Sequence, residues 1–225
     1  MPIVEENGSL YEETMMSLRE LRRTACFGSI VAGTHDLFEL IPRVKRLYLW
    51  WLAEESMGAG FPSPEILAVY EDLNNLIESW TMDPRLQNSP GNEEWNQRRV
   101  AAEVIRCGLR TYLAASCGGA APSQSIWEPI EREAKRVVDT AMLVKDSLYA
   151  SHIAWALVIA GSCLMDGEYR RTLTGILSQS RYNMRHLSAV SRGLELLWDD
   201  TDGSAYGPYG LQMVVRKHRI SLCIM

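Results

Sequence analysis

Histidine and carboxylate residues are the first groups in this sequence that could do acid–base chemistry, and their spacing decides whether they do. The four histidines stand far apart along the chain, at His35, His152, His186 and His218. His35 is followed by Asp36, but neighbouring side chains diverge on a helix, so we expect both to cap a helix start rather than form a catalytic dyad. His152 stands at the edge of an apolar run, where a capping or interfacial role is expected. The histidines therefore favour structural roles over catalysis.

Metal binding and nucleophilic catalysis have equally weak support. The five cysteines are Cys26, Cys107, Cys117, Cys163 and Cys223. They form no CxxC pair, so we expect unpaired thiols in a reducing, intracellular compartment, without a zinc site or a disulfide framework. Asp199, Asp200 and Asp202 could bind a hard cation, but the closing glutamate of a calcium loop is missing, and a solvated loop is expected. Since no nucleophile elbow, phosphate loop, dinucleotide fingerprint or HExxH motif occurs, we predict no catalytic residue, no metal and no cofactor.

Composition limits the functional classes further. The formal net charge is -5, the sequence pI is about 5.5, and the basic residues form no stripe, so we expect no direct binding of nucleic acid. The first residues lack a signal-peptide pattern. With 47% hydrophobic residues, the chain can bury a core, and we predict a single domain over residues 1–225. Seven Trp, nine Tyr and ten Met accompany only three Phe, a usage that suits a pocket, a partner groove or an irregular core.

The element that would position these residues is an apolar run, Ile153 to Met165, of thirteen residues without a charge. It is too short for a membrane span, which needs roughly 20 residues, and longer than a typical buried strand. We therefore predict a central helix, residues 152–165, that is buried on every side. Trp155 is expected to anchor its packing, and Gly161 to allow either a close backbone approach or space for a small molecule.

Amphipathic helical patterns flank the apolar run on both sides. In "PSPEILAVYEDLNNLIESW", Ser63 is a predicted N-cap and Pro64 the first helical residue, and apolar residues recur at spacings of four and three. Other predicted boundaries are a cap at Asn92, a stop at Gly118, and breaks at Gly33–Thr34 and Pro42. With no strand pattern between them, these segments predict an all-α fold, a single array of about seven to nine helices around the central helix.

The segment "IWEPIEREAKRVVDTAMLVKDS" has the cleanest helical period of the chain. Its apolar face is predicted to be buried. Its other face carries Glu131, Arg132, Glu133, Lys135 and Arg136, which we expect to be a solvated face.

The C-terminal connection "DGSAYGPYG" is the segment that bears most on function. Gly203, Gly207 and Gly210 give it backbone freedom and Pro208 fixes one turn, so we predict either a lid over an apolar cavity or a plain surface turn. The candidate ligand-binding residues are Trp155, Gly161, Met165, Tyr206, Tyr209 and Met213.

The succession "WALVIAGSCLMD", "EYRR", "LLWDD" and "YGPYGL" resembles the C-terminal regulatory region of fungal-specific transcription factors that carry a binuclear zinc cluster. In that family a Trp-containing apolar helix precedes an Arg-bearing helix, and a later Trp-Asp pair closes the array. The matching positions are Trp155, Gly161, Arg170, Arg171, Leu187 and Trp198, and "THDLFELIPRVKRLY" resembles the family's early Leu-rich helix. The six-cysteine DNA-binding cluster is missing, so the chain resembles either an excised regulatory domain or a stand-alone relative.

The resemblance implies a non-enzymatic, ligand-responsive or protein-interaction domain that acts in the nucleus, or in the cytoplasm if it stands alone. An apolar small molecule, a second copy of the chain or a transcriptional co-regulator is the implied partner, and no membrane span is expected. Two alternatives remain open: a helical enzyme of fungal secondary metabolism that orients or cyclises a substrate in an apolar pocket, and a dimerisation scaffold.

Overall fold

The computed structural model describes residues 33–82, 93–118, 123–178, 185–200 and 205–220. The helices in these ranges are α1 His35–Phe38, α2 Ile41–Ser56, α3 Pro64–Glu78, α4 Glu93–Ser116, α5 Gln124–Met142, α6 Ala154–Cys163, α7 Gly167–Ser178, α8 Arg185–Trp198 and α9 Gly207–Lys217. α1 is a single turn. The described residues thus form eight longer helices and no strand, which confirms the predicted all-α fold.

Several helices begin where the sequence predicts. Ser63 caps α3, because its Oγ accepts a hydrogen bond from the backbone N–H of Ile66 at 3.4 Å, and Pro64 follows as the first helical residue. The carboxylate of Glu54, near the end of α2, accepts hydrogen bonds from the backbone N–H and the hydroxyl of Ser63 at 3.1 and 2.8 Å. This contact fixes the turn between α2 and α3. The predicted cap at Asn92 lies outside the described residues.

The central helix is α6, as the apolar run predicts. All eight residues from Ala156 to Cys163 are buried, and α6 packs against α4, α5, α7, α8 and α9. It is shorter than the predicted span of 152–165: it begins at Ala154, and it ends at Cys163 because the backbone at Leu164 turns to an extended conformation with φ -81° and ψ 128°. None of the described helices is long and apolar enough to cross a bilayer.

The buried apolar side chains form two clusters. The first joins the faces of α5 to α9, and includes Ala134, Val137, Leu173, Leu194 and Leu211. The second joins α1 to α4, and includes Leu37, Leu47, Ile66, Leu73 and Leu109. α4 contributes residues to both clusters, and the half-buried ring of Trp155 packs against both. Trp155 therefore lies where the two clusters meet.

Two glycines set the distance between α6 and its neighbours. A Cβ atom on Gly108 of α4 would lie 2.5 Å from Cβ and 2.9 Å from Cα of Ala156, so only glycine allows α4 to approach α6 this closely. A Cβ atom on Gly161 would lie 2.5 Å from Cδ2 of Leu173 and 2.9 Å from Cδ1 of Leu194. Of the two roles expected for Gly161, the geometry fits close packing.

Candidate functional site

The carboxyl end of α6 collects side chains from three later helices. The last carbonyl groups of a helix have no partner within it. Here the indole N–H of Trp198 donates to the carbonyl oxygen of Gly161 at 2.9 Å, and the hydroxyl of Tyr206 donates to that of Cys163 at 3.0 Å. The Nε of Arg170 donates to the carbonyl of Leu164 at 2.8 Å. The resemblance matched Arg170 and Trp198 by position, and the structure gives both a physical role. We call this set of contacts the α6 terminus.

Arg170 also ties α7 to α8. Its guanidinium carbon lies 5.3 Å from the centre of the Trp198 ring, within range of a cation–π interaction. Burial of the guanidinium lowers the pKa of Arg170 from its usual value, against the attraction of nearby carboxylates.

Glu131 of α5 secures the backbone that follows α6. Its Oε1 accepts hydrogen bonds from the backbone N–H groups of Met165 and Asp166, both at 2.8 Å, and its side chain is buried. The expected solvated face of α5 is therefore wrong at this residue. Asp166 in turn lies 2.8 Å from the ammonium of Lys135. The hydrogen bond from Lys135, together with the backbone N–H of Glu168, lowers the pKa of Asp166.

A second site is formed where aromatic rings from five helices meet. The ring of Tyr209 on α9 stacks on Tyr48 of α2 with an interplanar angle of 11°, and its hydroxyl lies 3.2 Å from the hydroxyl of Tyr112 on α4. Tyr112 meets Trp155 edge to face at 5.9 Å, and Phe38 of α1 lies 6.2 Å from the same indole. We call these five residues the aromatic cluster. It attaches α9 to the helices of the N-terminal half.

Both tyrosines of α9 are neutral hydrogen-bonding groups. Burial raises the pKa of Tyr206, and the nearby Cys163 thiol raises it further. Burial also raises the pKa of Tyr209, together with the adjacent Tyr112 hydroxyl. Neither phenol ionises near neutral pH, so each can act as a stable hydrogen-bond donor.

The structure separates the six predicted ligand residues into three groups. Trp155 and Tyr209 belong to the aromatic cluster, and Gly161 and Tyr206 belong to the α6 terminus. Met165 and Met213 are 49% and 60% exposed and belong to neither set. Two clefts on the described surface, of about 540 and 680 Å³, are lined by other residues. Binding of a ligand by the six residues stays a prediction.

The last four residues of the predicted glycine-rich connection, 207–210, are helical. α9 begins at Gly207, which has a φ of +70° that favours glycine, and Tyr206 occupies the N-cap position. A Cβ atom on Gly210 would lie 2.6 Å from the backbone carbon of Ala205, so this glycine allows a close turn. The expectation of an irregular connection is therefore wrong for residues 207–210, whereas the lid over an apolar cavity stays a prediction. Gly203 lies outside the described residues.

The candidate metal ligands, the thiols and the His35–Asp36 pair can be assessed among the described residues. Among these residues, no group of three or more histidine, cysteine, aspartate or glutamate side chains could hold a metal ion. Cys107, Cys117 and Cys163 are free thiols, and burial raises the pKa of Cys107 and of Cys163 to about 12. His35 lies 3.3 Å from the Asp36 carboxylate, so the expected divergence of these two side chains is wrong.

Sequence reasoning missed Tyr48 of the aromatic cluster and Glu131, which holds the backbone just after the α6 terminus. Tyr48 stands in "RLYLWW", where it differs in no way from its aromatic neighbours, and only the position of α9 selects it. Glu131 stands in a run of charged residues, and only the path of the chain after α6 distinguishes it. Tyr112 is buried on α4, but its hydroxyl contact with Tyr209 leaves no signal in the sequence.

A protein-family model described as "Fungal specific transcription factor domain" matches residues 25–223 of the chain. No curated protein and no solved structure matches it significantly. The matched range contains the α6 terminus, the aromatic cluster and every described helix.

Proposed function

The chain belongs to the family of fungal-specific transcription factor domains, and from that membership we propose that it is the regulatory part of a transcription factor, controlled through the docking of α9. Membership of the family supports a regulatory role. The docking of α9 is the specific mechanism that we add. It would act in the nucleus, on a DNA-binding module and a transcriptional co-regulator.

One observation carries this mechanism: the first turn of α9 is attached to two separate parts of the fold. Tyr206 donates to the carbonyl of Cys163 in α6, and three residues later Tyr209 shares a hydrogen bond with Tyr112 of α4. Tyr209 also stacks on Tyr48 of α2. A change in the position of α9 would therefore alter contacts in both halves of the helical array.

These contacts suit a two-state switch. Among the described residues, the hydroxyls of Tyr206 and Tyr209 each have a single hydrogen-bond partner in a largely buried place, so an undocked α9 exchanges both bonds for water. A co-regulator that binds α9 in only one position would shift the population towards that position. The exposed face of α9, with Gln212, Met213 and Arg216, is available for such a contact. No observation on the described residues favours the alternative of a helical enzyme.

The test is a reporter assay with the full chain fused to a heterologous DNA-binding domain in fungal cells. We expect the fusion to change reporter output relative to the DNA-binding domain alone. Tyr209→Phe removes one hydroxyl contact, worth about 1 kcal/mol, which corresponds to a factor of about five in the docking equilibrium. We therefore expect a severalfold change in output at unchanged protein abundance.

Tyr70→Phe is the matched control, because Tyr70 is a half-buried tyrosine of α3 outside both sites. We expect wild-type output from this variant. A fusion that behaves as the DNA-binding domain alone would exclude the regulatory role, and equal outputs for the two tyrosine variants would exclude control through α9.

A further inference from the structure

A cleft of about 540 Å³ lies along the first four turns of α4, and none of its described lining residues belongs to the α6 terminus or the aromatic cluster. One wall is formed by residues 80–82, which follow α3, and Thr140 near the end of α5 contributes to the other. Trp95, Arg99, Glu103 and Arg106 of α4 line it at spacings of four, four and three, which places them on one face of the helix. The volume falls within the range of about 300–1,000 Å³ that is usual for small-molecule sites.

Half of the ten described residues that line the cleft are apolar. The indoles of Trp80 and Trp95 contribute flat aromatic surface, and Met82, Val100 and Ala102 add aliphatic surface. Trp80 and Trp95 are half-buried, so a part of each ring remains uncovered by the described residues. Aromatic faces of this kind favour a planar apolar partner.

Two of the three charged groups in the cleft are already paired. Arg106 donates from Nε and from one terminal nitrogen to the Glu103 carboxylate at 2.9 and 3.0 Å. Its other terminal nitrogen contacts the carbonyl of Glu78 at 3.4 Å. Arg136 also donates to Glu103, at 3.2 Å. The negative charge of Glu103 is thus balanced by two cations, and Arg106 is held in place.

Arg99 is the remaining charged group. It is exposed, and none of the described residues forms a hydrogen bond or an ion pair with it. Its planar guanidinium can therefore present a fork of N–H donors, which matches a carboxylate in a bidentate geometry. A single available cation beside two indoles is complementary to an amphipathic anion.

We infer that the cleft binds a small organic carboxylate with a flat apolar body, the carboxylate on Arg99 and the body between Trp80 and Trp95. Such a ligand would supply the signal for the regulatory role proposed above. The signalling function of the ligand rests on that proposed regulatory role, whereas binding depends only on the residues of the cleft. Ligand binding by the purified chain without an effect in the reporter assay would exclude the regulatory role and leave the binding site. An effect in the reporter assay without ligand binding would exclude the binding site alone.

The experiment is ¹⁹F NMR of the full chain labelled with 5-fluorotryptophan, titrated with 2-naphthoate. The protein has seven tryptophans, and the Trp80→Phe and Trp95→Phe variants assign the two resonances of interest. We expect saturable shifts of these two resonances. The resonance of Trp155, assigned in the same way, should stay unchanged.

The neutral analogue 2-naphthalenemethanol and the variant Arg99→Gln test the role of the charge. Loss of a charge-assisted contact should weaken 2-naphthoate binding by about tenfold or more, while binding of the alcohol changes less than twofold. Arg132→Gln is the control, since Arg132 is an exposed arginine of α5 outside the cleft. It should bind both probes as the wild type does.

Three outcomes would overturn the inference. They are the absence of saturable binding, as when a segment of the chain itself fills the cleft; saturable shifts of other tryptophans only; and equal affinity of wild type and Arg99→Gln for 2-naphthoate. Shifts of Trp80 and Trp95 that depend on Arg99 would support it.

Discussion

The contact between α4 and α6 at Gly108 gives a sharp test of how the central helix is packed. A Cβ atom at this position would meet Cβ and Cα of Ala156 at 2.5 and 2.9 Å. One of these atoms belongs to the backbone of α6, so the clash cannot be relieved by a rotamer change alone. Gly108→Ala must move one helix away from the other.

The magnitude follows from two opposing terms. Overpacking a well-packed core costs about 1–3 kcal/mol, and a backbone contact belongs at the upper end of that range. Alanine recovers about 1 kcal/mol over glycine through its helix propensity. We therefore expect Gly108→Ala to lower the free energy of unfolding by about 2 kcal/mol. For a chain of this size, the Tm should fall by about 4–8 °C.

Gly175→Ala is the matched control, because Gly175 also lies within a helix, α7, but its added Cβ would meet nothing within 4 Å. Only the propensity term applies there, so stability should rise by roughly 0.5–1 kcal/mol. Urea unfolding followed by far-UV circular dichroism gives the midpoint and the m-value of each variant. If Gly108→Ala proves as stable as Gly175→Ala, the close approach of α4 and α6 is refuted.

Three further predictions concern other parts of the fold. Trp155→Ala should lower the free energy of unfolding by about 3 kcal/mol. This is the lower end of the usual range for a large aromatic residue, because the indole is only half-buried. A loss below roughly 1 kcal/mol in urea melts would show that Trp155 does not hold the two clusters together. Burial alone would raise the pKa of Glu103, but hydrogen bonds from Arg106 lower it overall below the ordinary 4.5. The stabilisation that its ionised form contributes is therefore present above pH 4.5 and is lost as the pH falls through the lowered pKa. The free energy of unfolding should fall less steeply below pH 4.5 for Glu103→Gln than for the wild type, and parallel curves would contradict this. Cys107 and Cys163, whose pKa burial raises to about 12, should stay unlabelled by iodoacetamide in the native protein and react after denaturation; peptide mass spectrometry locates the labels, and native labelling of either would show that its surroundings open.

Helix positions and buried faces were largely predictable, because they depend on local pattern. The stripe of α5, with Ile130, Ala134, Val137 and Ala141, is buried as its period predicts. The cap at Ser63 forms, since a serine followed by proline and glutamate specifies a helix start without help from the rest of the fold. The apolar run predicted the central helix because an amphipathic helix buries only one face, whereas thirteen successive uncharged residues need burial on every side.

Contacts between distant residues were not predictable from such patterns. Glu131 stands among exposed charged residues of α5, and its burial depends on the backbone of Met165 and Asp166, more than thirty residues later. The same holds for Tyr48, which becomes part of a site only when α9 packs on α2. Long-range hydrogen bonds leave no periodic signal in the sequence.

The glycine-rich connection before α9 was misread for a local reason. Gly207, Pro208 and Gly210 are typical of turns, but proline is also favoured in the first turn of a helix. Gly207 supplies the positive φ that starts α9, and Gly210 allows its close contact with Ala205. Gly207 and Gly210 therefore have local roles in starting and packing α9, and a lid over a cavity stays a prediction.

The hydrogen bonds at the α6 terminus also have a consequence for synthesis of the protein. The side chains that satisfy the carbonyls of Leu164, Gly161 and Cys163 lie 6, 37 and 43 residues further along the chain. At about 5–20 residues per second, a ribosome needs a few seconds to add the last of them. During that interval α6, the most apolar of the described helices, lacks α7, α8 and α9, three of the five described helices that pack on it, and exposed apolar surface of this kind is what chaperones bind. Production of a folded domain therefore depends on its final helix, and a chain that terminates before Tyr206 should be degraded rather than accumulate as a shortened regulator.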